Sequence, residues 1–153
     1  DGIRDYKVTG VQTCALPICR LPAARASYEA MLKASPDDAE IMNNLANVML
    51  LMQDPGALAM AEKAMARKPT AAHIIGTTGW AAFKAGQNDR ALQLLRDARL
   101  RDPGNPDTRY FLGAVLAATG RATEAREELQ GALKSNPGFA NAKDAERLLA
   151  SLK

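Results

Sequence analysis

The chain has 153 residues, enough for one domain, and is 47% hydrophobic but only 5% aromatic, with many of the apolar residues being alanine. That balance favours closely packed helices over a sheet core. A net charge of +3 spread over 24% charged residues of both signs falls short of a nucleic-acid-binding composition, and no run approaches the roughly 18 apolar residues of a membrane span.

In chain order, residues 1–18 show neither helix nor strand period. The string VTGVQTCALPI at 8–18 resembles the translated read-through of a sequencing-library adapter, and DGIRD before it fits the upstream part of the same oligonucleotide. The stretch is therefore read as a cloning or assembly artefact and set aside from the fold; the alternative is a genuine N-terminal arm. Cys14 lies inside it and Cys19 at its edge, so cysteine spacing carries no disulfide or metal signal. The natural chain is expected to begin further upstream.

From Arg20 a repeating pattern takes over. Ala24, Tyr28, Met31 and Pro36 sit at the offsets of a second helix whose first helix is missing. Pro36-Asp37-Asp38 then stops one helix and starts another, with aspartate as N-cap. The next unit carries Leu45-Ala46, Ala57, Ala61, Ala64 and Pro69. Its turn, Gln53-Asp54-Pro55, is one residue shorter than the later ones, and Asp54 is expected to cap with Pro55 in the first helical turn. Thr78-Gly79, Gly86, Ala91, Leu95, Ala98 and Pro103 follow, and 34 residues later Leu112-Gly113, Gly120, Ala125, Leu129, Ala132 and Pro137. The closing prolines at 36, 69, 103 and 137 are thus spaced 33, 34 and 34 residues apart. A last helical pattern, Phe139, Ala142, Ala145, Leu149 and Leu152, has charges mainly on its other side, as a terminal capping helix requires. It implies a native C-terminus.

These offsets resemble the tetratricopeptide repeat family, a helix-turn-helix of about 34 residues with Leu-Gly in the first helix, Ala and a large residue in the second, and a closing proline. The resemblance implies an all-α fold, a right-handed α-solenoid of antiparallel hairpins. Its expected divisions are an artefactual or disordered segment at 1–19, a half repeat at 20–36, repeats at 37–69, 70–103 and 104–137, and the capping helix at 138–153. Two slots depart from the family: the residue opening the first helix is Met42, Ile75 and then Arg109, and the second-helix aromatic survives only as Tyr28.

The small slots have a packing reason. Helices pack at roughly 8–10 Å and come closest where one presents only a hydrogen or a methyl. Ala46, Gly79 and Gly113 fill that role in first helices; Ala57, Ala91 and Ala125 do so in second helices. The helix from about Leu21 to Ala34 has no upstream neighbour, so it should expose apolar surface and exchange its amides fastest.

Catalysis fails on inventory. His73 is the single histidine, Gly76-Thr77-Thr78-Gly79 lacks the lysine and strand of a phosphate loop, and Asp37-Asp38 and Glu127-Glu128 read as caps or exposed pairs. No catalytic, metal or cofactor residue is assigned. The family resemblance implies protein-protein interaction, with first helices lining a groove for a peptide or a partner's helix. Its groove slots fall on Asn43 and Asn47, on His73, Gly76, Trp80, Phe83 and Lys84, and on Asp107, Tyr110 and Ala114. Asn43 and Asn47 share a helix face, and their amides can both donate to and accept from a peptide backbone; the bland alternative is solvation. Trp80 is either a groove anchor with Tyr110 or packing between units. Only Asn43, Asn47 and Lys84 match a carboxylate-gripping set, so no carboxylate specificity follows.

Two further readings stand beside this one. Arg90, Arg96, Arg99 and Arg101 could bind a polyanion or nucleic acid, although interleaved acids point to a solvated face. The units could also be the architectural tail of a longer solenoid. The strings NNLA, TGW, RALQLLRDA and NPDTRYFLG resemble the C-terminal end of bacterial repeat proteins associated with exopolysaccharide export and exosortase-type sorting. That resemblance implies a bacterial protein of cytoplasm or periplasm with an assembly role at the cell envelope. Partner identity and oligomeric state have no signature in the sequence.

Overall fold

A computed structural model of the chain describes residues 20–152. The adapter-like stretch and both cysteines lie outside the described residues. Within them the chain forms eight helices and no strand: α1 (Leu21–Ala34), α2 (Ala39–Leu51), α3 (Ala57–Arg67), α4 (Ala72–Lys84), α5 (Asn88–Arg101), α6 (Pro106–Ala118), α7 (Ala122–Ser135) and α8 (Ala142–Ser151). Helices α2–α3, α4–α5 and α6–α7 pair as hairpins, and each hairpin packs on the next through its first helix. This is the all-α solenoid that the offsets predict.

Local chemistry sets the helix ends. The Asp38 side chain accepts from the backbone of Glu40 at 2.8 Å and Ile41 at 3.1 Å, and Asn105 Oδ1 accepts from Thr108 N at 3.0 Å with Pro106 in the first turn. Gly86 and Gly120 close their hairpin turns at φ 78°, a left-handed backbone that glycine adopts without cost. In the first hairpin the same slot is Gln53, at φ 57°. Asp54 does not cap α3 as expected. Gly56 is the N-cap and the helix starts at Ala57, because the Asp54 carboxylate folds onto Gly56 N at 2.7 Å and pairs with Arg25 of α1 at 2.6 Å. Pro55 therefore lies in the turn before the helix.

The crossings use the small slots in two ways. A methyl on Gly79 would sit 2.7 Å from Leu95 Cγ, and one on Gly113 would sit 2.8 Å from Leu129 Cγ. Glycine is what admits leucine at the facing slot. In the first hairpin Ala46 clusters with Ala61, so both sides are methyl and neither glycine nor leucine is needed. The second-helix slots Ala57, Ala61 and Ala64, Ala91, Leu95 and Ala98, and Ala125, Leu129 and Ala132 are all at most 3% exposed.

Two polar insertions join neighbouring units. Thr78 takes the slot of Leu45 and Leu112; fully buried, its hydroxyl lies 2.8 Å from Ile74 O and 3.2 Å from Ala61 O of the previous hairpin, which satisfies it without water. Arg109, at the slot where Met42 and Ile75 are apolar, crosses the backbone of Gly131, where a Cβ would meet its Nη1 at 1.5 Å. It donates to Pro103 O at 3.1 Å and approaches Glu128 at 3.7 Å, and Glu128 also accepts from Arg99 at 3.0 Å. A charged residue fits this slot because glycine opens the passage and a carboxylate waits beyond it.

Candidate functional site

The first helices α2, α4 and α6 present the groove slots of the sequence pattern. Helical spacing puts Trp80, Phe83 and Lys84 within one turn of α4, and the stacking of α4 on α6 brings Tyr110 and Phe111 against them. Trp80 stacks on Phe111 with centroids 4.6 Å apart and planes 13° apart, and lies 5.4 Å from Phe83 and 6.0 Å from Tyr110. Tyr110 continues the series to Phe139, at 6.2 Å, just before α8. Lys84 Nζ stands 4.6 Å from the Trp80 ring centroid, a cation over an aromatic face. Five of the chain's seven aromatic residues thus form one continuous patch.

Trp80, Phe83 and Tyr110 are each half-buried, and Lys84 is exposed. Trp80 therefore packs between units while keeping part of its surface open. Burial raises the Tyr110 phenol above its usual pKa, with Asp144 adding to the shift and Arg147 opposing it. The hydroxyl stays protonated and able to donate at neutral pH.

The remaining slots separate. Asn47 is half-buried on the same side of α2 as Asn43. Asn43 itself is only 5% exposed, and its Oδ1 has no hydrogen-bond partner. Gly76 sits inside the α4–α6 contact, where a Cβ would approach Thr108 Oγ1 at 3.1 Å, and Ala114 is buried. His73 Nε2 lies 2.8 Å from Glu40 Oε2, whose other oxygen accepts from Lys68 Nζ at 2.9 Å. Those two hydrogen bonds, Lys68 first and His73 second, hold the Glu40 carboxyl below its usual pKa. Asp107 accepts from Asn141 Nδ2 at 3.0 Å, repeating the same rung two units later.

Sequence reasoning missed Phe111 and Glu40. Glu40 was findable by slot, since it stands 33 residues before His73; Phe111 was not, because its slot, that of Thr77, is not one of the groove slots. On α5, Arg90 pairs with Glu62 at 2.6 Å, Arg96 with Glu124 at 3.7 Å, Arg99 with Glu128 at 3.0 Å and Arg101 with Asp97 at 2.8 Å. All four arginines are already matched by carboxylates. Among the described residues no helix is long and apolar enough to cross a membrane.

Comparison with known proteins gives a consistent picture. A tetratricopeptide repeat family model matches residues 82–152. Among solved structures, MamA superposes with a TM-score of 0.64 at 21% identity, covering 87% of this chain and 86% of its own. YrrB, described as a TPR protein with an unusual peptide-binding site, gives 0.65 at 22% identity over 85% of this chain and 68% of its own. The Arabidopsis OM64 TPR domain gives 0.62 at 22% identity over 74% and 95%. A search of curated proteins finds no match. The family consists in general of interaction scaffolds without catalysis. The tetratricopeptide repeat family's sequence pattern is matched over residues 82–152, and the stack of helices has the tetratricopeptide repeat fold.

Proposed function

We propose that the wall of first helices binds a peptide or helical segment of a partner protein, with Trp80, Phe83 and Tyr110 as the anchor and Asn47 and Lys84 as polar contacts beside it. The observation that carries this reading is the concentration of five aromatic residues in one continuous patch, four of them half-buried, in a chain that is otherwise poor in them. Half-buried aromatics held rigid by stacking supply contact area at little entropic cost, which is how interface hot spots work. The fitting segment brings an apolar side chain to the Trp80–Phe111 stack and hydrogen-bonding groups to the Asn47 amide and the Tyr110 hydroxyl.

Trp80 is the chain's one tryptophan, so its fluorescence reports on the patch alone. Peptides selected from a random display library should shift that emission, and should bind roughly 30-fold or more weakly to Trp80→Ala, the loss expected of a hot spot. Asn47→Ala and Lys84→Glu, at less buried positions, should each weaken binding while leaving the melting temperature unchanged. Selected peptides that leave Trp80 emission unaltered and bind Trp80→Ala, Asn47→Ala and Lys84→Glu at full strength would refute the assignment. So would binding that falls steeply with salt and tracks the α5 arginines.

A further inference from the structure

Three troughs run along the second-helix side of the stack, between α1 and α3, α3 and α5, and α5 and α7, each floored by the first helix that packs on both of its walls. Two of them are latched by ion pairs at matching slots. Glu62 of α3 meets Arg90 of α5 at 2.6 Å; one unit on the signs are exchanged, with Arg96 of α5 at 3.7 Å from Glu124 of α7, and Arg99 and Glu128 add a second pair at 3.0 Å. Between α1 and α3 the same slots are Glu29 and Gly56, and Leu32 and Met60. No side chain fits at Gly56, where a Cβ would meet Met49 Cε at 3.0 Å and Asp54 Oδ1 at 3.1 Å, so Glu29 turns back to Arg25 at 2.8 Å. Among the described residues no ion pair joins α1 to α3.

The unlatched trough is open as a cavity. A space of about 580 Å³ over Met42 adjoins one of about 460 Å³ over Leu45 and Met49, with Leu32, Pro36 and Met60 lining both. Volumes of this order hold small-molecule ligands. All six methionines of the chain fall between Met31 and Met65, and three of them, Met42, Met49 and Met60, line this trough. Their unbranched thioether chains adapt to an apolar ligand of variable shape. The rim is basic. Lys33 and Lys63 are exposed and meet no carboxylate among the described residues, and Arg67 has only the exposed Asp37.

The lining selects among occupants. It contains no serine, threonine, asparagine or glutamine, and its walls are helices whose backbones bond internally, so an extended peptide laid there would leave its own N–H and C=O groups unpaired. A helix about 10–12 Å across would find room for little more than about one turn. An alkyl chain has no polar groups to satisfy, and an anionic head at its end answers the lysines. We propose that the α1–α3 trough binds a free single-chain amphiphile with an anionic headgroup, of the fatty-acid type. Its chain lies along Met42, Met49 and Met60, and its carboxylate sits at Lys63 and Arg67. This site is separate from the Trp80 patch and does not depend on the peptide-binding reading.

The test uses the full chain with isotope-labelled methionine methyl groups, read by NMR. Dodecanoate below its micellar concentration should shift the signals of Met42, Met49 and Met60 and leave that of Met52, which lies off the trough, in place. Decanoate, two methylenes shorter, should bind roughly four- to fifteen-fold more weakly. Dodecyltrimethylammonium, with the same chain and the opposite charge, should bind roughly fivefold more weakly or worse, as should dodecanoate to Lys63→Glu, a change at an exposed position. Leu32→Arg with Met60→Glu, which installs the pair found at Arg99 and Glu128, should abolish binding with helix content unchanged. Methyl signals unmoved by dodecanoate, equal binding of the ammonium amphiphile, or full binding by the latched variant or by Lys63→Glu would each overturn the proposal. So would an acidic peptide or phosphatidylglycerol vesicles moving the same methyl signals where dodecanoate does not.

Discussion

The α1–α3 end and the α6–α8 end are built from the same slots, yet they are held unequally. In α7, Leu129 is fully enclosed between its own first helix and α8, and the turn before α7 rests on a left-handed glycine. In α1 the matching Tyr28 is covered on one side only, by Leu45 and Met49, and the first hairpin turns on a strained Gln53. In a repeat stack each unit is stabilised by its own packing and by its neighbours, so stability should be graded along the chain even though the pattern is periodic.

The largest expected contrast is between two truncations at one slot. Leu129→Ala should cost about 2–5 kcal/mol, the loss of a fully buried leucine plus its cavity, whereas Tyr28→Ala should cost about 1 kcal/mol. Denaturant melts read both, and equal losses would break the comparison. Overpacking comes next. Gly113→Leu should destabilise by about 1–3 kcal/mol, while Arg147→Leu at the matching slot of α8 should stay within about 0.5 kcal/mol.

The turns give a smaller effect of opposite sign. Gln53→Gly should stabilise the first hairpin by about 0.5–1 kcal/mol, since the left-handed strain of about 1–2 kcal/mol exceeds the entropy of the glycine. The mirror change, Gly120→Gln, should destabilise by about the same amount. The smallest contrast lies in pH. The Glu40 pKa is depressed in the folded chain by the Lys68 and His73 hydrogen bonds. The carboxylate therefore contributes stability above its unfolded pKa of about 4.3, and the contribution is lost as pH falls through that value towards the folded one. Glu40→Gln should be less stable than the parent at neutral pH and converge on it in acid. Parallel stability curves would show that the pair contributes nothing.

The solenoid was legible because its signals are local and repeated: prolines at near-fixed spacing, a small residue at each crossing, a glycine at two of the three hairpin turns. What stayed hidden depended on partners a whole unit away. Thr78 reads as a lapse from leucine until the Ala61 carbonyl of the previous hairpin is placed above it. Arg109 reads as a departure until Gly131 and Glu128 are seen to receive it. The Asp54 turn was misread because Arg25 on α1 and Gly56 together draw its carboxylate away from the helix start. On the first-helix wall, Trp80 was visible as a residue, but its stacking on Phe111 needed the register between α4 and α6.

The pairing of Ala46 with Ala61, against glycine with leucine in the later hairpins, bears on how such genes can be rearranged. A break and rejoining at a turn would combine Ala46 with Leu95, which leaves no room for the methyl, or Gly79 with Ala61, which leaves a hole. Exchanges cut at the closing prolines keep matched partners together. Duplication and loss of units should therefore have been filtered towards breakpoints between hairpins, and each hairpin inherited as a block.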